Sequence, residues 1–393
     1  MVRELYHNED VACDKHQYGC VGLYISLVFV LSFIMSPSCI KAQNAVLQLA
    51  DSIVKYQLES GGWCKNQNWI EGPDMNVISQ AMKTGVGSTI DNGATISEMK
   101  KLVEAVKEIN RAKGDSDYIV AAELEKKADA YRHSFCRGID YLLEMQYPNG
   151  GFPQFYPKKQ HKDYSTEITF NDNAMYNVLT LLKELSAGGE ICAVMQVDRE
   201  TMQRCSNVYD MGVQCILDCQ IRVDEHGRVV AYGTDAWSAS RRTVWCQQHD
   251  EVTLLPAKAR AYELPSYTGF GETCALLNLL MDIEKPSAEV REAIRGGVEW
   301  LRGHAMVDVA KEVFINDKGM KDVRLIRQPG APLLWARFYD LDEALPYYCD
   351  RDGVPKRNIS EIGYERRNGY AWVGDTPSKV IQRYEQYAQQ HNL

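Results

Sequence analysis

Two short segments set an aspartate among asparagines just ahead of a helical pattern: Thr89-Ile90-Asp91-Asn92-Gly93-Ala94-Thr95 and Thr169-Phe170-Asn171-Asp172-Asn173-Ala174-Met175. Asp and Asn cap helix N-termini by accepting backbone N–H bonds, so either segment alone reads as an ordinary cap. Two such caps opening two helices of one assembly can also converge. Their carboxylate and amide oxygens then suit a hard divalent cation such as Ca2+. There is no contiguous EF-hand loop, so any calcium site has to be assembled from segments far apart in the chain.

Two further polar clusters follow. The first runs through Tyr232, Asp235, Trp237, Trp245, His249, Asp250, Lys258, Arg260 and Glu263. Aromatic faces suit sugars and Lys or Arg neutralise anions, although a core Trp and a satisfied His explain part of it equally well. The second holds Arg337, Arg351 and Arg366, 14 and 15 residues apart. Arg reads carboxylates through paired N–H donors. Asp340, Asp342, Asp350, Asp352 and Glu365 are close in sequence, so structural ion pairs are the competing explanation.

The elements that must position these groups are helical. Apolar residues recur at helical spacing over 45–58, 97–110, 121–145, 172–185, 201–221, 273–283 and 287–304, and period-two alternation is short, as at 229–233. An internal echo sets the architecture. Gln57-Leu58-Glu59-Ser60-Gly61-Gly62-Trp63 closes one helix and Gln146-Tyr147-Pro148-Asn149-Gly150-Gly151-Phe152 closes another. Gln220, followed by a turn around Gly227, closes a third more loosely. Helix pairs repeated in this way bury their faces only against one another. The expected fold is therefore all-α, an incomplete α/α toroid with its cleft where the connecting loops gather.

Composition narrows the function. The chain has 393 residues, 45% hydrophobic and 25% charged, with a net charge of -9. That is a globular composition, and its acidity argues against a nucleic-acid partner. There is no P-loop, GxGxxG, HExxH or G-x-S-x-G, which removes the commonest nucleotide, zinc-protease and α/β-hydrolase chemistries. Residues 21–35 form an uncharged apolar run, too short for a comfortable span and suited to a signal peptide. The chain therefore divides into an export segment, 1–42, and one domain, 43–393. The expected destination is secretion or the periplasm, with Cys39 as a weak lipid-attachment candidate. Nine cysteines follow Ala42, an odd number that leaves at least one thiol free.

Taken together, GGWCKN (61–66), TIDNGAT (89–95), GGFPQFYP (150–157), TFNDNAM (169–175), the 245–266 block, WARFYDL (335–341), RDGV (351–354) and ERRNGYAW (365–372) resemble the pectate lyases of polysaccharide lyase family 10. Cys64 departs from the proline expected of that family. The resemblance implies a toroid that cleaves polygalacturonate by β-elimination with Ca2+. It implies Arg351 as base, Asp172 and Asp91 as calcium ligands, and Arg260, Arg337 and Arg366 as holders of substrate carboxylates. It also suggests Trp245 and Tyr339 for sugar stacking, and a monomer. An arginine base needs desolvation and cationic neighbours, since guanidinium normally titrates above pH 12. The acidic net charge is compatible with an acidic substrate, because calcium bridges like charges and screening confines the global field to about 8 Å.

Three alternatives remain at this level. One is an α/α-barrel hydrolase using two of Asp91, Asp172 and Asp250. Another is a cyclase-like barrel, suggested by the Gln-Gly-Gly-Trp echo but lacking an acid motif. The third is a pectin-binding protein of the same fold without activity.

Overall fold

The computed structural model describes residues 37–114, 118–159 and 161–391. The apolar run 21–35 lies outside the described residues, as does the side chain of Cys39. The chain divides into two compact units between Lys41 and Ala42; the second carries everything that follows. Its helices are α1 (Pro37–Lys55, which begins in the first unit), α2 (Met75–Thr84), α3 (Ile96–Lys113), α4 (Tyr118–Glu144), α5 (Ala174–Ser186), α6 (Glu190–Met195), α7 (Arg199–Cys219), α8 (Glu272–Met281), α9 (Ala288–Gly303), α10 (Tyr364–Asn368) and α11 (Thr376–His391). No helix among the described residues is long and apolar enough to cross a membrane.

The fold is an incomplete α/α toroid. Helices α3, α5, α8 and α11 stand side by side, backed by α4, α7 and α9, which also contact one another in order. Helix α8 is apolar on nearly every side, with Cys274, Leu276, Leu277, Leu279 and Leu280 buried, as expected of an element packed between neighbours.

The internal echo is a repeated set of hydrogen bonds. Gln57 Nε2 donates to the carbonyls of Gly61 (2.6 Å) and Ser134 on α4 (2.9 Å). Gln146 Nε2 donates to Gly150 (3.0 Å) and Val208 on α7 (2.8 Å). Gln220 Nε2 donates to Thr243 (2.8 Å) and Ala293 on α9 (2.9 Å). Each glutamine thus closes its own turn and ties it to the next backing helix. Gly61 and Gly150 have φ of 96° and 86°, and a Cβ there would lie 2.3 Å and 2.0 Å from the Arg137 and Met211 carbonyl oxygens. Only glycine meets both demands.

The third copy differs from expectation. Its turn does not close at Gly227 but at Thr243-Val244-Trp245, after an insertion carrying the short strands Arg222–Val223, Val229–Val230 and Arg241–Arg242. Ile221 N donates to Val244 O, as Leu58 N does to Gly62 O and Tyr147 N to Gly151 O. Met306 N donates to Leu334 O in a fourth copy. That copy's insertion is the hairpin Val309–Ile315 with Lys321–Arg327, the longest strand pair and unforeseen in the sequence. The residue after this closure is Trp63, Phe152, Trp245 or Trp335, and the three indoles donate back to Ile53, Ile216 and Leu301 carbonyls.

Replacing Gln220 with leucine removes three buried hydrogen bonds: the two from Nε2 to the Thr243 and Ala293 carbonyls, and the one Oε1 accepts from Arg242 Nη1, which keeps its bond to the Leu217 carbonyl. The expected cost is about 2–3 kcal/mol, read from the urea midpoint. A midpoint equal to the parent's would show that the glutamine does not anchor the turn.

Candidate active site

After each aromatic anchor the chain crosses toward the N-terminus of the next front helix. Thr89 N, Thr169 N and Thr268 N donate to the carbonyls of Trp63, Phe152 and Trp245, respectively. These three crossings deliver Asp91 ahead of α3, Asp172 ahead of α5 and Glu272 as the first residue of α8. The loops around Asp91 and Asp172 pack against each other. They are also structurally equivalent: Asn92 (φ 53°, ψ 27°) and Asp172 (φ 51°, ψ 28°) hold the same left-handed conformation. Buried Asp91 therefore corresponds to buried Asn171, and exposed Asp172 to exposed Asn92. Asn and Asp are the non-glycine residues that accept this conformation most readily.

Asp91 is ion-paired with Lys65 from the first turn. Asn171 Nδ2 donates to Asp172 Oδ2 (2.9 Å), and Gln247 Nε2 donates to both Asn171 Oδ1 (3.0 Å) and Glu272 Oε1 (3.1 Å). The Asp172 carboxyl is pushed up by the protein around it and by the charges of Asp91 and Glu272, with Arg337 and Arg260 pulling the other way. Asp172 is itself exposed to solvent. Glu272 Oε2 and Gln247 Oε1 are buried acceptors with no hydrogen-bond partner. Carboxylates beside unsatisfied oxygens are the kind of donors a hard divalent cation takes. Here Lys65 and Arg337 already engage Asp91 and Glu272, and the carboxylates of Asp91, Asp172 and Glu272 do not all bring an oxygen within 4.8 Å of one another.

The arginines form the adjoining cluster. Arg337 Nη2 donates to Glu272 Oε1 at 2.7 Å, with both side chains largely buried. Burial opposes its charge, but Glu272 and Asp172 hold its pKa above the ordinary guanidinium value. Arg260 Nε donates to Glu263 Oε2 (2.7 Å), and Tyr370 OH to Glu263 Oε1 (2.8 Å). Tyr262 and Tyr370 pack edge to face, and Arg260, Arg337 and Arg366 lie over their rings. Arg366 is buried, donates to Glu365 Oε1 (2.8 Å) and leaves Nε unpaired. Arg351 stands exposed at the edge, its Nε and Nη2 each 3.2 Å from Glu365, which raises its pKa. Arg367 belongs elsewhere: it grips Asp322 with two bonds and holds the long hairpin to α10.

Trp245 and Tyr339 are not sugar platforms. Trp245 is fully buried as the anchor of the third copy, and Tyr339 is buried with its hydroxyl bonded to His304 O. Neither has a face to offer. His249 is a core histidine bonded to Cys246 N and Leu254 O, and burial lowers its pKa to about 4. Asp250 is held down to about 2 against burial by the Thr253 and Val252 amides and Lys162, which disfavours the protonated form a hydrolase acid needs. Glu272, Gln247 and Tyr370 are site residues the sequence reading missed. An acidic residue opening an apolar helix was the available signal for Glu272.

A second acidic group, Glu167, Asp250 and Glu251, brings its carboxylate oxygens within 4.8 Å of one another. Lys162 Nζ lies 3.0 Å from Asp250 and 3.1 Å from Glu251, supplying the positive charge there. Burial and the neighbouring Glu251 carboxyl push Glu167 up to about 7. A carboxyl raised on folding stabilises the protein fully below its unfolded pKa, and that contribution is lost as pH rises through about 7. Glu167→Gln is therefore expected to flatten the loss of melting temperature between about pH 4.5 and pH 7, and to leave the slope above pH 7 unchanged. An unchanged slope below pH 7 would contradict the assignment.

A family model described as pectic acid lyase matches residues 57–381. Among solved structures, the family 10 polysaccharide lyase from Cellvibrio cellulosa is 28% identical with a TM-score of 0.66, covering 90% of this chain and 96% of that one. An aspartate-to-alanine mutant of the family 10 polysaccharide lyase from that organism, in complex with trigalacturonic acid, is also 28% identical with a TM-score of 0.66, covering 88% and 96%. No curated protein matches the chain.

Proposed function

The chain belongs to the pectic acid lyase family and is a polysaccharide lyase, and from that premise we propose that it cleaves α-1,4-galacturonan by calcium-dependent β-elimination, outside the cytoplasm, with Arg351 as base. The observation that carries this reading is one continuous site. The carboxylates of Asp91, Asp172 and Glu272 adjoin the arginines 260, 337 and 366, joined by the Glu272–Arg337 pair. The trigalacturonic acid bound to the Cellvibrio enzyme supports the substrate class.

Galacturonan carries a carboxylate on every sugar. β-Elimination removes the C5 proton, moves that electron pair into a C4–C5 double bond and expels the O4-linked sugar. The proton becomes acidic only when the adjacent carboxylate is neutralised. Arg337, locked against Glu272 and stacked on Tyr370, and Arg366, with an unpaired Nε, offer donors that need no reorganisation as charge develops. Asp172 and Asp91 would hold Ca2+, which neutralises and bridges the acidic substrate to the acidic protein. Arg260, fixed by Glu263, is positioned to hold a further carboxylate.

Arg351 is the demanding assignment. Its pairing with Glu365 favours the charged form. To take the C5 proton it must leave Glu365 and lie among cationic neighbours such as Arg366, which lower its pKa. The same pairing favours a second reading, in which Arg351 stays charged and clamps a substrate carboxylate.

Export is supported by the apolar run ahead of Ala42 and by the division of the chain between Lys41 and Ala42. The mature chain is read as a monomer.

With polygalacturonate at alkaline pH, the ultraviolet absorbance of a 4,5-unsaturated product should rise, and EDTA should abolish the rise. New reducing ends without that absorbance would mean hydrolysis. Arg351→Lys should lower kcat by about 10²–10⁴-fold with KM nearly unchanged. A raised KM with kcat retained would make Arg351 the carboxylate clamp.

A further inference from the structure

Beside Lys65, outside the carboxylate and arginine clusters, a groove of about 510 Å³ opens between α2 and the loop that leads to Asp91. Its apolar lining is Val77, Ala81, Val86 and Phe155. Asn76 and Gln80 also line it, one helical turn apart on α2. Their side-chain amides make no hydrogen bond among the described residues. Val77 exposes 43% of its surface, and Met75 and Met82, at the two ends of α2 and outside the groove, expose 48% and 55%. The groove is continuous with the site in two ways. Lys65 lines it and pairs with Asp91. Phe155 is bridged through its backbone to Thr89, two residues before Asp91.

The charge pattern of the groove differs from that of the site. Lys65 is its one charged lining residue, and Asp91 already engages that ammonium. An ionised uronate placed there would lose water without gaining a cation, which is costly. A methyl-esterified uronate is neutral. It offers a methyl group and a C–H ring face to Val77, Val86 and Phe155, and an ester carbonyl and hydroxyls to the two amides. We propose that this groove holds a methyl-esterified galacturonate flanking the reacting unit, so that the enzyme accepts partly esterified pectin with the ester at a fixed distance from the cut. The inference rests on the galacturonan lyase reading above. Val77 and Phe155 are then specificity-determining residues, remote from the proton transfer.

Gly87 shapes the groove from below. A Cβ on Gly87 would lie 2.3 Å from the Ala81 Cβ, so its absence lets the loop lie directly on α2. Cys64, which stands where a proline was expected, lines the same wall.

The test compares the full mature chain with Val77→Lys on polygalacturonate and on partly methyl-esterified pectin, following unsaturated product. Val77 is substantially exposed, so the replacement leaves the core untouched. A lysine there attracts carboxylates and repels the apolar ester. The ratio of kcat/KM on pectin to that on polygalacturonate should fall about tenfold. Mass spectrometry of the parent's products should place the methyl ester at one preferred remove from the unsaturated end, and Val77→Lys should scatter it. An unchanged ratio with randomly placed esters overturns this inference alone. Absence of unsaturated product from both polymers overturns the lyase reading and this inference with it.

Discussion

Three carboxylates brought to the starts of three packed helices are the constraint on which the structure turns. The N-terminal end of a helix carries partial positive charge, so each acidic group is favourable at its own helix. Together they repel. The raised pKa of Asp172, driven by burial and by Asp91 and Glu272, records that conflict. Lys65 answers it at Asp91 and Arg337 at Glu272, each by a direct ion pair. Asp172 alone has no cationic partner in contact, only Asn171. Under the proposed function a divalent cation at Asp172 would relieve the remaining repulsion and give the acidic substrate something to bind.

The repeated turns make this crowding possible. Each crossing loop is fixed by the same pair of bonds, a glutamine gripping the next backing helix and a threonine amide on the carbonyl of the aromatic anchor. The strands inserted between Gln220 and Trp245 leave those bonds intact, and the hairpin after Met306 leaves the pairing of Met306 with Leu334 intact although Ala305 stands where the other copies have glutamine. The fold can add surface there without disturbing the site.

Much of this was legible in the sequence. Helical spacing located α3, α5, α7, α8 and α9 closely, and the Gln-Gly-Gly-aromatic echo led to the toroid. The third copy was misread because the echo was sought in contiguous residues, whereas Gln220 meets its aromatic, Trp245, across an insertion. For the same reason Trp245 resembles a sugar platform in sequence: its anchoring role depends on Gln220, which lies 25 residues away in the chain. Glu272 escaped because a lone acidic residue at a helix start looks like any first-turn charge. The hairpin of 309–327 was overlooked although Asn316 and Gly319 form its turn. Arg351 illustrates the opposite limit. Its motif was recognisable, but its pairing with Glu365 depends on packing that no sequence spacing reveals.

The central claim is that Asp91 and Asp172 act as one calcium site. The most direct measurement is a double-mutant cycle on the Ca2+ concentration giving half-maximal formation of unsaturated product, using Asp91→Asn, Asp172→Asn and the pair. The account predicts that each single change raises that concentration, and that the double change raises it by clearly less than the product of the two, because both remove ligands of one ion. Strictly multiplicative effects, or a calcium requirement untouched by either change, would contradict it.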